Sequence, residues 1–182
     1  MKQLIILFTV FLTCNITTAD DSSSPLRENA HRYVESLSVD FELQRSFYTE
    51  ETVFEDITSE SFGPRWQFTG PDAIMDFWQR SYRDYGVLEV KPEIHDVIVQ
   101  PPFAIVTYSA HVTACGIAIG HPNKVFTNPI KLVTALRFKD NKVVRHTDYG
   151  AYDKANRRLE QMNNKLANQP ADSRCDKYTD SK

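Results

Sequence analysis

The sequence predicts an α+β domain: a cone-shaped, curved antiparallel or mixed sheet wrapped around N-terminal helices, with one further helix at the C-terminus. Three observations predict it. Apolar residues recur at helical spacing through the first part of the folded chain. Alternating strand patterns joined by short turns follow, and a last helical stripe comes after them. Helices first and consecutive strands second is the α+β order, and a curved sheet folded around a helix pair encloses a cone-shaped pocket.

Each element has its own signal. Ser24-Pro25 reads as an N-cap with proline in the first turn, and Leu26, Ala30, Tyr33, Val34 and Leu37 then share one helical face. A second, short helix over 40–48 carries Phe41, Leu43 and Phe47. "TVFEDI" follows as a strand, with Phe54 and Asp56 on one side and Val53 and Ile57 on the other. Residues 59–69 read as irregular and hold Trp66. Gly70-Pro71-Asp72 opens a third helix with Ile74, Phe77, Trp78 and Tyr82 as its apolar stripe. Beyond Gly86 come strands: 88–100, interrupted by Pro92, then a Pro101-Pro102 turn, then 103–115. In that long strand Val106, Tyr108, Ala110 and Val112 face one way, and Thr107, Ser109, His111 and Thr113 the other. Residues 128–140 and 142–149 form a hairpin around Asp140-Asn141. The last helix, 152–167, places Tyr152, Ala155, Leu159, Met162 and Leu166 three or four apart, a stripe that docks on the sheet or pairs with another subunit.

The N-terminus does not belong to this fold. Met1-Lys2, the apolar run "LIILFTVFL" and a polar stretch ending in Ala19 have the layout of a secretory signal, with cleavage expected near Ala19 and a secreted or periplasmic destination. The run is too short for a stable membrane span, which needs about 20 residues. A lipoprotein signal acylated on Cys14 is the competing reading, and Thr13 before it fits poorly. Removing 19 of the 182 residues leaves 163, the size of one domain, and moves the formal charge from −3 to −4 because Lys2 goes with the signal. A mildly acidic chain without a run of Lys and Arg is a poor nucleic-acid binder. The organisation expected is therefore a signal peptide (1–19), a polar leader (20–25), the domain (26–168) and a C-terminal tail (169–182) that is flexible unless Cys175 ties it down by pairing with Cys115.

"RYVESL", "DFELQRSFYTEETVFEDI", "FTGPDAIMDFW" and the closing "LVTALRFKDNKVVRHTDYGAYD" together resemble the nuclear transport factor 2-like superfamily, whose members include ketosteroid isomerase, limonene epoxide hydrolase and the SnoaL-like polyketide cyclases. The resemblance spans roughly residues 26–160 and implies their cystatin-like α+β roll, a hydrophobic pocket and frequent homodimers. It places Tyr33 on the isomerase's oxyanion donor and Asp56 on its proton-shuttling aspartate. The isomerase's third group, a protonated acid, falls on Thr134, which argues against steroid isomerisation. Asp148 matches the closing-strand acid/base of the SnoaL-like and epoxide-hydrolase branches. The hydrolase's arginine and aspartate of the long strand fall on Ser109 and His111, so its way of activating water is not expected here.

The candidate catalytic set is accordingly Asp148, His111, Asp56 and Tyr33; His146, Phe54, Trp66, Trp78 and Thr134 would contact substrate, with Phe68 and Leu136 adding apolar wall. Closely placed ionisable groups in an apolar pocket push each other's pKa values apart, so that one gives a proton while the other takes it. Structural roles compete at every position: Asp148 or Asp56 bonding backbone at a strand end, His111 or His146 facing solvent, Tyr33 packing in the core. His146-Thr147-Asp148 spells half of a two-histidine, one-carboxylate iron site, but no histidine follows His146, and neither metal nor cofactor is expected. The sequence thus points to a domain that binds a small apolar molecule, with cofactor-independent isomerisation, cyclisation or dehydration as the possible chemistry and a non-catalytic binding or homodimerising module as the alternative.

Overall fold

The computed structural model describes residues 25–179 apart from 39 and 63, so the expected signal peptide and all but the last residue of the polar leader lie outside the described residues. Helix α1 (Pro25–Ser36) begins at the expected proline and buries Ala30, Tyr33 and Val34 completely. Helix α2 (Phe41–Ser46) is capped by Asp40, whose carboxylate accepts from the Leu43 N–H at 3.0 Å. Strand β1 (Val53–Asp56) leads through a 3-10 turn to β2 (Trp66–Thr69). Helix α3 (Pro71–Asp84) starts after Gly70, whose φ of +83° is one that a side chain would resist. Four long strands follow, β3 (Val87–Gln100), β4 (Phe103–Gly116), β5 (His121–Lys139) and β6 (Lys142–Gly150), and then helices α4 (Tyr152–Ala167) and α5 (Asp176–Thr179).

The six strands form one sheet in the order β2-β1-β6-β5-β4-β3. Only the β1–β6 pair is parallel, so the sheet is mixed. The hairpin between β5 and β6 turns on Asp140 and Asn141, with φ of 51° and 60°, the two left-handed residues that a tight right-twisted hairpin requires. The α+β cone expected from the sequence is the architecture of the chain: helices α1 and α3 pack against one face of the sheet around Phe54, Ile74, Val106 and Leu136.

Three boundaries differ from those read in the sequence. Pro92 does not interrupt β3, because β3 is an edge strand and the missing N–H costs it no ladder bond. Residues 66–69 are a strand rather than irregular chain, since four residues paired to β1 are too few to show a period. Strand β5 begins at His121, not 128; its first part pairs with the end of β4, Val125 opposite Cys115 and Phe126 opposite Ala114. Pro129 is tolerated inside β5 because the β6 partner reaches only as far as Leu132.

Cys115 and Cys175 form a disulfide, and both are fully buried. The Asp172 N–H also donates to the Asn123 carbonyl at 2.9 Å. The tail expected to be flexible unless tied is therefore pinned to the sheet through its described residues. Among the described residues no helix is long and apolar enough to cross a membrane.

Candidate active site

Strand β6 sends its side chains alternately to two faces of the sheet. Arg145 and Thr147 point outward, where Arg145, Arg65 and Thr147 all bind the buried Glu55 carboxylate of the adjacent β1. His146 and Asp148 point inward, and each is at most 2% exposed. Strand β1, paired in parallel register, sets Phe54 beside His146 and Asp56 beside Asp148. An imidazole and a carboxylate are thus carried into the core two residues apart, which is costly unless neighbours satisfy them.

His146 is clamped on every side. Its Nδ1 lies 2.6 Å from the Tyr33 hydroxyl of α1. The rings of Tyr33 and Phe54 meet it edge to face at centroid distances of 5.4 and 4.8 Å. Its Nε2 lies 2.7 Å from Asp148 Oδ1, although the ring N–H is not aligned for a linear hydrogen bond. Asp148 Oδ1 accepts from the Thr134 hydroxyl of β5, and the Tyr108 hydroxyl lies 3.3 Å from the same Thr134 oxygen. Behind Tyr33 the chain of polar groups continues: its hydroxyl is 2.9 Å from that of Tyr48, to which Gln44 Nε2 donates at 2.9 Å.

Burial pushes the phenols of Tyr33 and Tyr108 well above their ordinary range, with the neighbouring Tyr48 adding to the first and the Asp148 carboxylate to the second. Tyr48, Tyr82 and Tyr152 are raised as well, burial again the largest cause. All five are protonated hydrogen-bond donors at neutral pH.

Asp148 looks into a cavity of about 620 Å³ between the sheet, α3 and α4. Its walls include Trp66, Phe77, Trp78 and Tyr82 on one side and Tyr108, Ala110 and Val112 of β4 on another. Helix α4 supplies Tyr152, Ala155 and Leu159, with Asn156, Glu160 and Asn163 at the polar end. The C-terminal stripe therefore docks on the sheet and forms one wall of the pocket. Asn128 and Arg158 fix it there: Asn128 Nδ2 donates to the Ala155 carbonyl, and Arg158 donates to Asn128 Oδ1 and the Pro129 carbonyl. Gly150 is needed at the turn into α4, because a Cβ there would sit 2.5 Å from the Tyr152 ring.

The sequence-derived set divides accordingly. Asp148, His146, Thr134 and Tyr33 are brought together, and Trp66 and Trp78 line the cavity. His111 is not part of the site: its odd position on β4 turns it to the outer face, where Nε2 pairs with Glu93 at 2.9 Å. Asp56 is held by structure. Its Oδ1 accepts from Thr58 N–H and O–H and from Ser59 N–H at 2.7–3.1 Å, and its Oδ2 accepts from Tyr152. Tyr33 stands behind His146 rather than at the cavity wall, so it is no oxyanion donor to a ligand there. Phe54, Phe68 and Leu136 belong to the core around His146. Tyr108, Tyr152, Asn128 and Gln44 were not among the site residues read from the sequence; the inward alternation of β4 marked Tyr108 and the apolar stripe of α4 marked Tyr152, while nothing local marked Asn128 or Gln44.

Among the described residues no cluster of three or more His, Cys, Asp or Glu forms a metal site. A cone-shaped, curved α+β sheet around an apolar cavity bordered by a buried carboxylate is the nuclear transport factor 2-like fold. More closely, residues 30–146 match the SnoaL-like domain family, and the chain belongs to it. The structure is similar to that of a protein from Shewanella denitrificans assigned as a SnoaL-like polyketide cyclase, with a TM-score of 0.66 at 25% identity over 76% of this chain and 99% of that one. It resembles, at the level of the fold, TerC co-crystallised with polyporic acid, with a TM-score of 0.58 at 15% identity over 76% of this chain and 99% of that one. A ketosteroid isomerase-like protein from Catenulispora acidiphila in complex with trimethylamine also shares the fold, with a TM-score of 0.54 at 12% identity over 67% of this chain and 84% of that one. No curated protein matches the chain in sequence.

Proposed function

We propose that this chain is an exported SnoaL-like protein that binds a small apolar molecule in its cavity and catalyses cofactor-independent proton transfer on it, with Asp148 as acid/base and His146 as its partner. One observation carries the reading: a carboxylate 2% exposed, beside an imidazole, stands at the end of a largely apolar cavity of about 620 Å³. Asp148 takes a proton from a carbon acid and returns one to the same ligand at another atom, so the net reaction is isomerisation or cyclisation. Tyr108 faces the cavity with a protonated phenol and is the group placed to donate to the oxygen of a forming enolate, the part that the sequence assigned to Tyr33. Export is supported by the Cys115–Cys175 disulfide, since such bonds persist in oxidising compartments.

Both tryptophans of the chain, Trp66 and Trp78, line the cavity, so intrinsic fluorescence reports its occupancy. Polyporic acid, the ligand crystallised with TerC, is the binding probe. A β,γ-unsaturated cyclic ketone in deuterated water is the chemical probe, with exchange of its acidic C–H followed by NMR. Asp148→Asn is expected to retain quenching by polyporic acid and to lose at least 100-fold of the exchange rate, on the order of general acid–base effects. Equal exchange rates in both proteins would leave a binding module and no enzyme.

A further inference from the structure

We propose that Gln44, remote from the cavity, is a positioning residue that sets the tautomer of His146 and thereby the proton that faces Asp148. The inference rests on the reading of Asp148 and His146 as the proton-transferring pair. Its basis is the unbroken file of buried polar groups from α2 to β6: Gln44, Tyr48, Tyr33 and His146, linked at 2.9, 2.9 and 2.6 Å. Gln44 and His146 are at most 1% exposed and the two phenols at most 6%, so no bulk water interrupts the file.

A file of hydroxyls has two self-consistent directions, because each phenol has one proton to give. With the amide NH₂ of Gln44 facing Tyr48, Tyr48 accepts and gives its own proton to Tyr33. Tyr33 in turn gives its proton to His146 Nδ1. That nitrogen is then the acceptor, and the neutral ring carries its hydrogen on Nε2, 2.7 Å from Asp148 Oδ1. The opposite direction places the hydrogen on Nδ1 and sets an Nε2 lone pair against the carboxylate. Two acceptors would then face each other at 2.7 Å in a buried site, an arrangement that costs free energy. The amide at the far end and the carboxylate at the near end therefore select the same direction. The groups facing His146 are Tyr33 from α1, Phe54 from β1 and Asp148 from its own strand, and Tyr33 alone reaches Nδ1.

The test reads the ring directly and needs no ligand. In ¹⁵N-labelled protein, His146 is expected to show an acceptor-type Nδ1 and an N–H-type Nε2. Gln44→Glu replaces the donor with a group that, once ionised, only accepts. Recorded at about pH 10, above the pKa of about 8–9 known for buried Glu, the variant is expected to exchange the two signals, while the raised phenols stay protonated. In the double variant Gln44→Glu/Tyr48→Phe the file is cut, and the exchange is expected to vanish. If Gln44→Glu does not fold, Gln44→Leu carries the test: with the amide gone only the carboxylate end still biases the file, and the opposite ring pattern is expected to appear as a minor population beside the first. Unchanged His146 signals in whichever of these variants folds would overturn the inference. They would leave the proposed activity untouched, because that stands or falls on Asp148→Asn.

Discussion

Cutting the disulfide should cost this fold about as much as truncating a large core side chain. Cys115 and Cys175 are separated by 60 residues, and closing a loop of that length removes about 4 kcal/mol worth of unfolded-chain entropy at room temperature. The loop encloses β5, β6 and α4, so the constraint acts on the part of the chain that carries Asp148 and the α4 wall of the pocket. For a domain of this size each kcal/mol shifts Tm by roughly 2–4 °C, so Cys175→Ala is expected to lower Tm by about 8–16 °C. Calorimetric melts of the variant and of the native protein with and without reductant provide the assay, and reduced native protein should melt with the variant. In the folded variant α4 keeps its own clamps, the Asn128 bond to the Ala155 carbonyl and the Arg158 bond to the Pro129 carbonyl. Polyporic acid binding below the new Tm should therefore change little. A Tm loss under about 3 °C would refute the reasoning, for it would mean that the tail stays docked without its covalent tie.

Two further predictions concern pH. Five of the eight tyrosines, Tyr33, Tyr48, Tyr82, Tyr108 and Tyr152, are raised above their ordinary value of 10.0, so the native state holds protons that the unfolded chain would release. Their contribution to stability is whole below pH 10 and is lost as pH rises beyond it; phenolate absorbance of these five should appear only together with unfolding, and early ionisation in folded protein would contradict their burial. Glu55 goes the other way: burial pushes its pKa up, but Thr147, Arg145 and Arg65 together bring it below the ordinary 4.5. The stability it supplies is complete above that value and disappears as pH falls through the lower native one, so Glu55→Gln should flatten the loss of stability below about pH 4.5; an unchanged acid limb in urea titrations would count against the cluster.

How far the sequence reaches can be seen in β6. Its alternation predicted that His146 and Asp148 share a face, and they do. Whether that face looked inward depended on which strand lay beside it, and the parallel pairing with β1 joins residues about 90 positions apart, beyond any local period. His111 failed for the same reason: its place on one face with Ser109 and Thr113 was visible in the alternation, but the choice of inner face was settled by Tyr108 and Ala110 packing on the helices. Asp56 was legible as an acid near a turn, and Thr58 and Ser59 just after it gave the donors that make it a cap. Gln44 was invisible, because one polar residue in a six-residue amphipathic helix carries no mark of the tyrosines above it.

A core that hides so many polar groups is stable only if nearly all are satisfied, since an orphaned buried donor or acceptor costs about 1–3 kcal/mol. The protein meets this on the two faces of β6 by different means. Outside, Glu55 is saturated by two guanidinium groups and a hydroxyl, which fixes β1 to β6 and leaves nothing to react. Inside, each group from Gln44 to Thr134 leans on the next, and the file ends at Asp148, the member that borders the cavity. Saturating the outer carboxylate rigidifies the strand, while the inner one is held by position and meets whatever enters. Two carboxylates on adjacent strands of one fold are thereby given opposite fates by the direction in which their side chains point.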